Sequence, residues 1–290
     1  MSEEAIKAGK QGFSGGGIGS EPALKEGISM KIGAMNHPAR NPLEEIECFG
    51  RQGFDFVDFT LEPPAADPGQ IDPVAVRAVL DRYSLGVVAH TAWFIPFGSP
   101  FASVREACLR EFKRALDMAH KIGAKVMNTH YCKAPGFFSK EQVIGWHVEV
   151  LSRLCQEAAK VGVTIVLEHI PHGGSEQLEN IVEIMNRVPL LRFHLDSGHA
   201  KLERGYDRWE EYLEKLGPKL LHVHLSENDG TADQHLPFGA VPRNPTNWPQ
   251  HIKKLKATGY DGTITLEVFS AHKEYLLLSR DLLRKWWDEA

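Results

Sequence analysis

The sequence predicts a (β/α)8 barrel. Three observations carry that expectation: a rhythm of short strand-like runs, amphipathic helical segments alternating with them, and the closing of run after run on a carboxylate or an imidazole. At 290 residues, with 42% hydrophobic and 24% charged composition, the chain can bury a single core of barrel size. An open doubly wound sheet is the alternative. Such a sheet would more often carry a glycine-rich phosphate turn after its first strand, and that position here reads M-N-H-P-A-R.

Residues 1–29 are polar and glycine-rich, with S-G-G-G-I-G-S at Ser14–Ser20. They are expected to form a flexible leader, because they offer too little burial to offset ordering the backbone. The barrel is expected over 30–290. Apolar or β-branched runs place strands at Lys31–Met35, Phe54–Phe59, Gly86–His90, Ala124–His130, Val163–Glu168, Leu191–Asp196, Leu220–His224 and Thr263–Glu267. Amphipathic spacing places helices at Pro42–Gln52, Pro73–Tyr83, Val104–Lys121, Lys140–Val161, Glu176–Arg187, Asp207–Leu216, Trp248–Thr258 and Ala271–Trp287. Asp72 before Pro73 reads as a cap with proline at the first helical position, and Gly53, Gly123, Gly162, Gly217 and Gly259 stand just past helices. The longest connections, Leu61–Ile71, Thr91–Ser103 and Leu225–Thr246, all follow strands, so they should crowd the C-terminal rim where barrels place their sites.

A formal net charge of -5 gives no basic footprint of the kind that drives phosphate-backbone binding. Cys48, Cys108 and Cys155 fall in helical patterns and Cys132 in a loop, with no C-x-x-C pair, which disfavours a zinc ribbon or a disulfide framework and fits a reducing cytoplasm. No apolar run approaches the ~20 residues needed to span a bilayer, and no signal-peptide core is present, so no membrane partner is expected.

The chemistry centres on Phe193–Ala200, F-H-L-D-S-G-H-A, where a strand ends in Asp196, turns through Ser197 and Gly198 and delivers His199. Alone, the pair is better read as Asp196 capping the next helix and His199 solvated. Six strands, however, end in a ligand type: His90, His130, Glu168, Asp196, His224 and Glu267. His199, Asp233 and His235 join them from adjoining loops. Singly, each histidine could be bonded to a carbonyl and each glutamate paired with a base. Packed together in one mouth without a cation, they would suffer like-charge repulsion worth several kcal/mol. His222, alternating with His224 in H-V-H, is assigned to the opposite side of its strand and to structure. His194 is placed one layer below Asp196 on the same face, and Cys132 is assigned to structure rather than to a soft metal.

V-L-E at Glu168, L-D-S-G-H, H-V-H-L-S-E-N-D at His222–Asp229, D-Q-H-L-P-F-G and Y-D-G-T-I-T-L-E at Tyr260–Glu267 together resemble the xylose isomerase-like superfamily of barrels from Met30 onward. That superfamily holds sugar isomerases and epimerases and the endonuclease IV group. The epimerases imply four ligands, Glu168, Asp196, His224 and Glu267, holding a divalent ion such as zinc or manganese. Chemistry there runs through an enediolate, with Glu168 and Glu267 moving the proton and His199 polarising a substrate oxygen. The endonuclease IV group implies up to about three zinc ions on nine positions, all filled here, adding His90, His130, His199, Asp233 and His235. Trp93 after His90 also matches that group's context.

The loop after the second strand, T-L-E-P-P-A-A-D-P-G, is acidic and apolar; Glu62 and Asp67 would repel a nucleic-acid backbone. The expectation is therefore an isomerase or epimerase of a small sugar or sugar phosphate. Phosphoester hydrolysis of the AP endonuclease type is the alternative, and a non-catalytic carbohydrate- or metal-binding barrel a third. Trp93, Glu227 and His37 are the candidates for contacting substrate. Trp286 and Trp287 suggest either a homo-oligomer surface or a helix packed on the barrel.

Overall fold

Eight parallel strands pair in chain order and close on themselves, β1 hydrogen-bonding to β8, in a computed structural model that describes residues 30–202 and 206–290. The expected leader at 1–29 lies outside the described residues. The strands are β1 Lys31–Met35, β2 Phe56–Leu61, β3 Gly86–Thr91, β4 Val126–His130, β5 Thr164–Glu168, β6 Arg192–Asp196, β7 Leu220–Leu225 and β8 Thr263–Leu266. The helices are α1 Pro42–Arg51, α2 Pro73–Arg82, α3 Ala102–Lys121, α4 Lys140–Lys160, α5 Gln177–Arg187, α6 Ser197–Leu202, α7 Trp209–Leu216, α8 Trp248–Ala257 and α9 Glu274–Glu289. Closure leaves no unpaired sheet edge, and all eight strand ends meet at one rim.

Local chemistry sets the boundaries. The Asp72 carboxylate accepts from the Val74 amide ahead of α2, Asn41 does the same for α1, and Ser139 forms a reciprocal capping box with Gln142 at α4. Gly53, Gly123, Gly162 and Gly259 take positive φ just past their helices, as expected. Gly217 does not: with φ -49° it continues α7 into a short 3-10 turn over Gly217–Lys219. The second strand starts two residues later than the sequence suggests. Asp55 is held back in the turn, where its carboxylate accepts from the Ile32 amide at 2.8 Å.

The unexpected element is α6. Instead of a loop after Asp196, the chain enters a helix at once, because the Asp196 carboxylate caps it by accepting from the His199 amide at 2.6 Å. Inside the barrel, Gly33 is needed for packing: a Cβ there would lie 2.4 Å from the Phe56 ring. At the C-terminus, Trp286 packs on Phe238 with ring centroids 5.3 Å apart, and both Trp286 and Trp287 pack against the core, so α9 lies on the barrel. No helix among the described residues is long and apolar enough to cross a membrane.

Candidate functional site

The strand ends converge as a chain of three overlapping ligand groups, His90–His130–Glu168, Glu168–Asp196–His199 and Asp196–His224–Glu267, the ligand atoms of each lying within 4.8 Å of one another. Glu168 and Asp196 are the shared corners. His130 Nε2 lies 2.9 Å from Glu168 Oε2 and 3.2 Å from His90 Nε2. His199 spans the mouth, with Nδ1 3.3 Å from Glu168 and Nε2 3.1 Å from Asp233. His235 lies 3.3 Å from Asp233 and 3.6 Å from Glu267. Its backbone takes the left-handed φ of 48°, a strained setting for a non-glycine residue.

The loop that brings Asp233 and His235 is shaped by a two-bond antiparallel bridge between Glu227 and Leu236. Glu227 does not line the cavity, contrary to its expected contact with substrate. Its side chain is buried and turned into the loop, taking hydrogen bonds from Thr246, Trp248 Nε1 at 2.8 Å and Lys201 Nζ at 3.1 Å. Trp93 and His37 do line the cavity.

His222 corrects another expectation. Residues two apart on a strand share a face, so His222 and His224 both point inward, and both Nε2 atoms reach Asp58 Oδ2, at 2.9 and 2.7 Å. Thr265 donates to the same oxygen at 2.9 Å, and His90 Nδ1 lies 3.6 Å from Asp58 Oδ1. Sequence reasoning passed over Asp58, although a charged residue within the apolar run F-V-D-F-T-L signals an inward-facing polar group. It also passed over Asn128, whose amide donates to Glu168 Oε2 at 2.5 Å, and His169, whose carbonyl lies 2.7 Å from His199 Nδ1. His194 sits below the mouth as expected, 3.1 Å from Glu168. Cys132 turns to the Ile95 carbonyl, and burial pushes its thiol up to about 11.

The electrostatics show a site with competing charges. Burial and the Glu267, Glu168 and Asp233 carboxylates push Asp196 up to about 7 against the pull of His199. Burial would also raise Glu168, but His194 and His130 hold it well below the usual carboxylate range. Glu267 is likewise lowered against burial, by His235 and His224. Burial would lower His199 and His224; Asp196 and Asp233 for the first, and Glu267 and Asp58 for the second, hold both well above the ordinary imidazole value.

The donor set suits a divalent cation. Asp196 Oδ2, Asp233 Oδ1, His130 Nδ1 and His235 Nδ1 are buried without a hydrogen-bond partner, and such atoms are costly unless a ligand meets them. His224 is arranged as metal-binding histidines usually are: Nε2 is fixed by the Asp58 carboxylate, leaving Nδ1 facing Glu267 at 3.0 Å and Asp196 at 3.8 Å. Above these residues opens a cavity of about 590 Å³, into which Glu168, Glu267, His199 and Asp233 project from below.

Residues 50–287 match the xylose isomerase-like TIM barrel family, and the chain belongs to it. Among curated proteins it is 27% identical over 203 residues to an uncharacterized protein of Methanocaldococcus jannaschii, covering 64% of this chain and 66% of that one. It is 25% identical over 222 residues to the fructoselysine 3-epimerase of Escherichia coli O157:H7, covering 73% and 78%. The match spans 60 to 66% of the length of the first curated relatives. A solved D-tagatose 3-epimerase-like protein superposes with a TM-score of 0.78 at 22% identity, over 90% of this chain and 98% of that one.

Proposed function

We propose that this protein is a divalent-metal-dependent isomerase or epimerase of a sugar. The observation that carries the reading is the pair of buried carboxylates, Glu168 and Glu267, on β5 and just past β8, which line the floor of one cavity with Asp196 and His224 buried between them beneath it. Glu168, Asp196, His224 and Glu267 would hold a cation such as manganese or zinc. When bound there, such an ion polarises a carbonyl and an adjacent hydroxyl and so acidifies the C–H bond between them. Glu168, kept ionised by His194 and His130, takes the proton from one face of that carbon. Glu267 takes up a proton from the neighbouring His235 imidazolium, 3.6 Å away, and delivers it to the other face; solvent reprotonates His235 and takes the proton held by Glu168. His199, held protonated by its carboxylate neighbours, donates to a substrate oxygen. The epimerase among the relatives and the epimerase-like fold neighbour support this reading.

The test is incubation of the manganese or cobalt form with a panel of ketoses in deuterated water. Deuterium is expected at the carbon beside the carbonyl, and Glu168→Gln or Glu267→Gln should each slow its entry by ~100-fold or more. No exchange with any ketose would refute the reading.

A second reading, phosphoester hydrolysis by a multinuclear zinc site, is favoured by one observation. His90, His130, Asp233 and His235 also reach this mouth, within 3.6 Å of a further ligand in each case. It requires about two or three zinc ions per chain and cleavage of abasic-site DNA or a model phosphodiester. A single ion per chain, with activity surviving His130→Ala, would exclude it.

A further inference from the structure

One acid in the cavity wall has no counterpart in the protein. Glu62 stands just past β2, lines the cavity and is only 8% exposed. Among the described residues its carboxylate takes no hydrogen bond and no ion pair, and Oε2 is buried without a partner. The other carboxylates of the mouth are all engaged. Glu168 lies 2.9 Å from His130 and 3.1 Å from His194, Glu267 lies 3.0 Å from His224, and Asp233 lies 3.1 Å from His199. Asp67, the second acid of the loop that follows Glu62, meets the Arg114 guanidinium at 3.0 Å. Leaving a carboxylate out of water with nothing to bond is unfavourable, and burial pushes the Glu62 carboxyl up, with His90 pulling against it and Glu267 adding to the rise.

The backbone around this acid is fixed. The Glu62 carbonyl accepts from the Ala66 amide at 3.0 Å, and the Ala65 amide donates to the Pro38 carbonyl at 2.9 Å, which ties the loop to the one after β1. Asp67 on Arg114 holds the far end to α3. The carboxylate is therefore in place at the wall before a ligand arrives, an arrangement that lowers the ordering cost of binding. Glu62 belongs to none of the ligand groups at the strand ends, so a cation in the floor is not what meets it. An unmet acceptor calls for a donor, and a sugar brings hydroxyls beyond the two oxygens that an ion in the floor would take.

Resting on the reading of the floor as a sugar epimerase site, we propose that Glu62 is a substrate-binding residue that accepts a hydrogen bond from a sugar hydroxyl other than the oxygens held by the ion. A hydrogen bond to a charged acceptor is worth about 10- to 100-fold in affinity. Glu62 binds and takes no part in proton transfer, so its loss should raise KM and leave kcat nearly unchanged. It also sets specificity, because a sugar without that hydroxyl leaves the carboxylate unmet and is rejected by a similar factor.

The test measures binding of D-fructose, D-tagatose and D-psicose to the full-length manganese-loaded protein by isothermal titration, and then of the monodeoxy analogues of whichever binds most tightly. Glu62→Ala is expected to weaken that ketose by about 10- to 100-fold, with manganese affinity unchanged. Glu62→Gln, which keeps an acceptor without the charge, should fall between the two proteins. One deoxy analogue should bind the wild type about as weakly as the parent ketose binds Glu62→Ala, and should lose nothing further in the variant. A merely structural role would weaken every sugar alike. An unchanged dissociation constant in both variants, undetectable binding of all three ketoses to the wild type, equal losses for every deoxy analogue, or a parallel fall in manganese affinity would each overturn the proposal. Deuterium exchange into the same ketose reports separately on the reaction. Exchange with an unchanged KM in Glu62→Ala sinks this inference alone; a hydroxyl coupled to Glu62 without exchange leaves it standing and sinks the reaction.

Discussion

Replacing Lys201 by methionine should be among the most damaging single changes outside the cavity. Its ammonium is buried on α6, its three N–H donors surrounded by Glu227 Oε1 at 3.1 Å, the Asn228 carbonyl at 2.5 Å, the Asn244 carbonyl at 2.7 Å and Thr246 Oγ1 at 3.1 Å. Methionine fills the space but strands a fully buried Glu227 without its counter-charge and leaves two carbonyls unpaired. Breaking one side of a buried ion pair costs about 3–5 kcal/mol. The donors that remain on Glu227, from Thr246 and Trp248, argue for the lower end. Equilibrium urea unfolding, followed by tryptophan fluorescence, reads this as a drop in midpoint at constant slope. Adding Glu227→Gln to Lys201→Met removes the stranded charge and should recover about 1–2 kcal/mol. The reasoning fails if Lys201→Met costs less than about 1 kcal/mol, or if the double variant is no more stable than the single one.

Three further outcomes follow from particular groups. His147 accepts from the Cys132 amide through Nε2 and faces the Val143 carbonyl through Nδ1, and burial holds it down to about 4. The unfolded chain therefore binds this proton first as pH falls. The stability tied to a neutral His147 is complete above the unfolded value near 6.5 and declines toward 4, so wild type should lose about 2 kcal/mol of its advantage over His147→Gln between pH 7 and pH 5, measured by unfolding at each pH. Asp58→Asn should weaken manganese or zinc binding by about 10- to 100-fold in a competition titration, because it removes the carboxylate that fixes His224. With Asp196 pushed up to about 7 and His224 raised, cation binding to these two ligands at pH 7 should release at least about one proton. Calorimetry in two buffers of different ionisation enthalpy measures that release, and affinity should rise with pH.

The barrel and most of its mouth were legible because period and punctuation are local properties. A buried parallel strand reads as an apolar run, and the residue where the run stops lies at the rim, so His90, His130, Glu168, Asp196, His224 and Glu267 could be taken from the sequence alone. What the sequence did not disclose depends on direction and distance. His222 shares the inward face of His224, as a period of two requires, but its partner Asp58 lies 164 positions away along the chain. Glu227 stands beside ligand-rich residues in the sequence. Only the folded loop shows that its charge is spent on Lys201, Thr246 and Trp248. The helix beginning at Ser197 was hidden because an aspartate before serine and glycine reads equally as a turn and as a cap.

That helix ties two functions to one side chain. Asp196 Oδ1 holds the first turn of α6 while Oδ2 is left toward His224. Glutamate would carry the charge on a longer arm that no longer meets the His199 amide; asparagine could keep the backbone bond but not the anion. Position 196 therefore admits almost no conservative replacement, and whatever occupies the basin and whatever steadies the following turn must be gained or lost together.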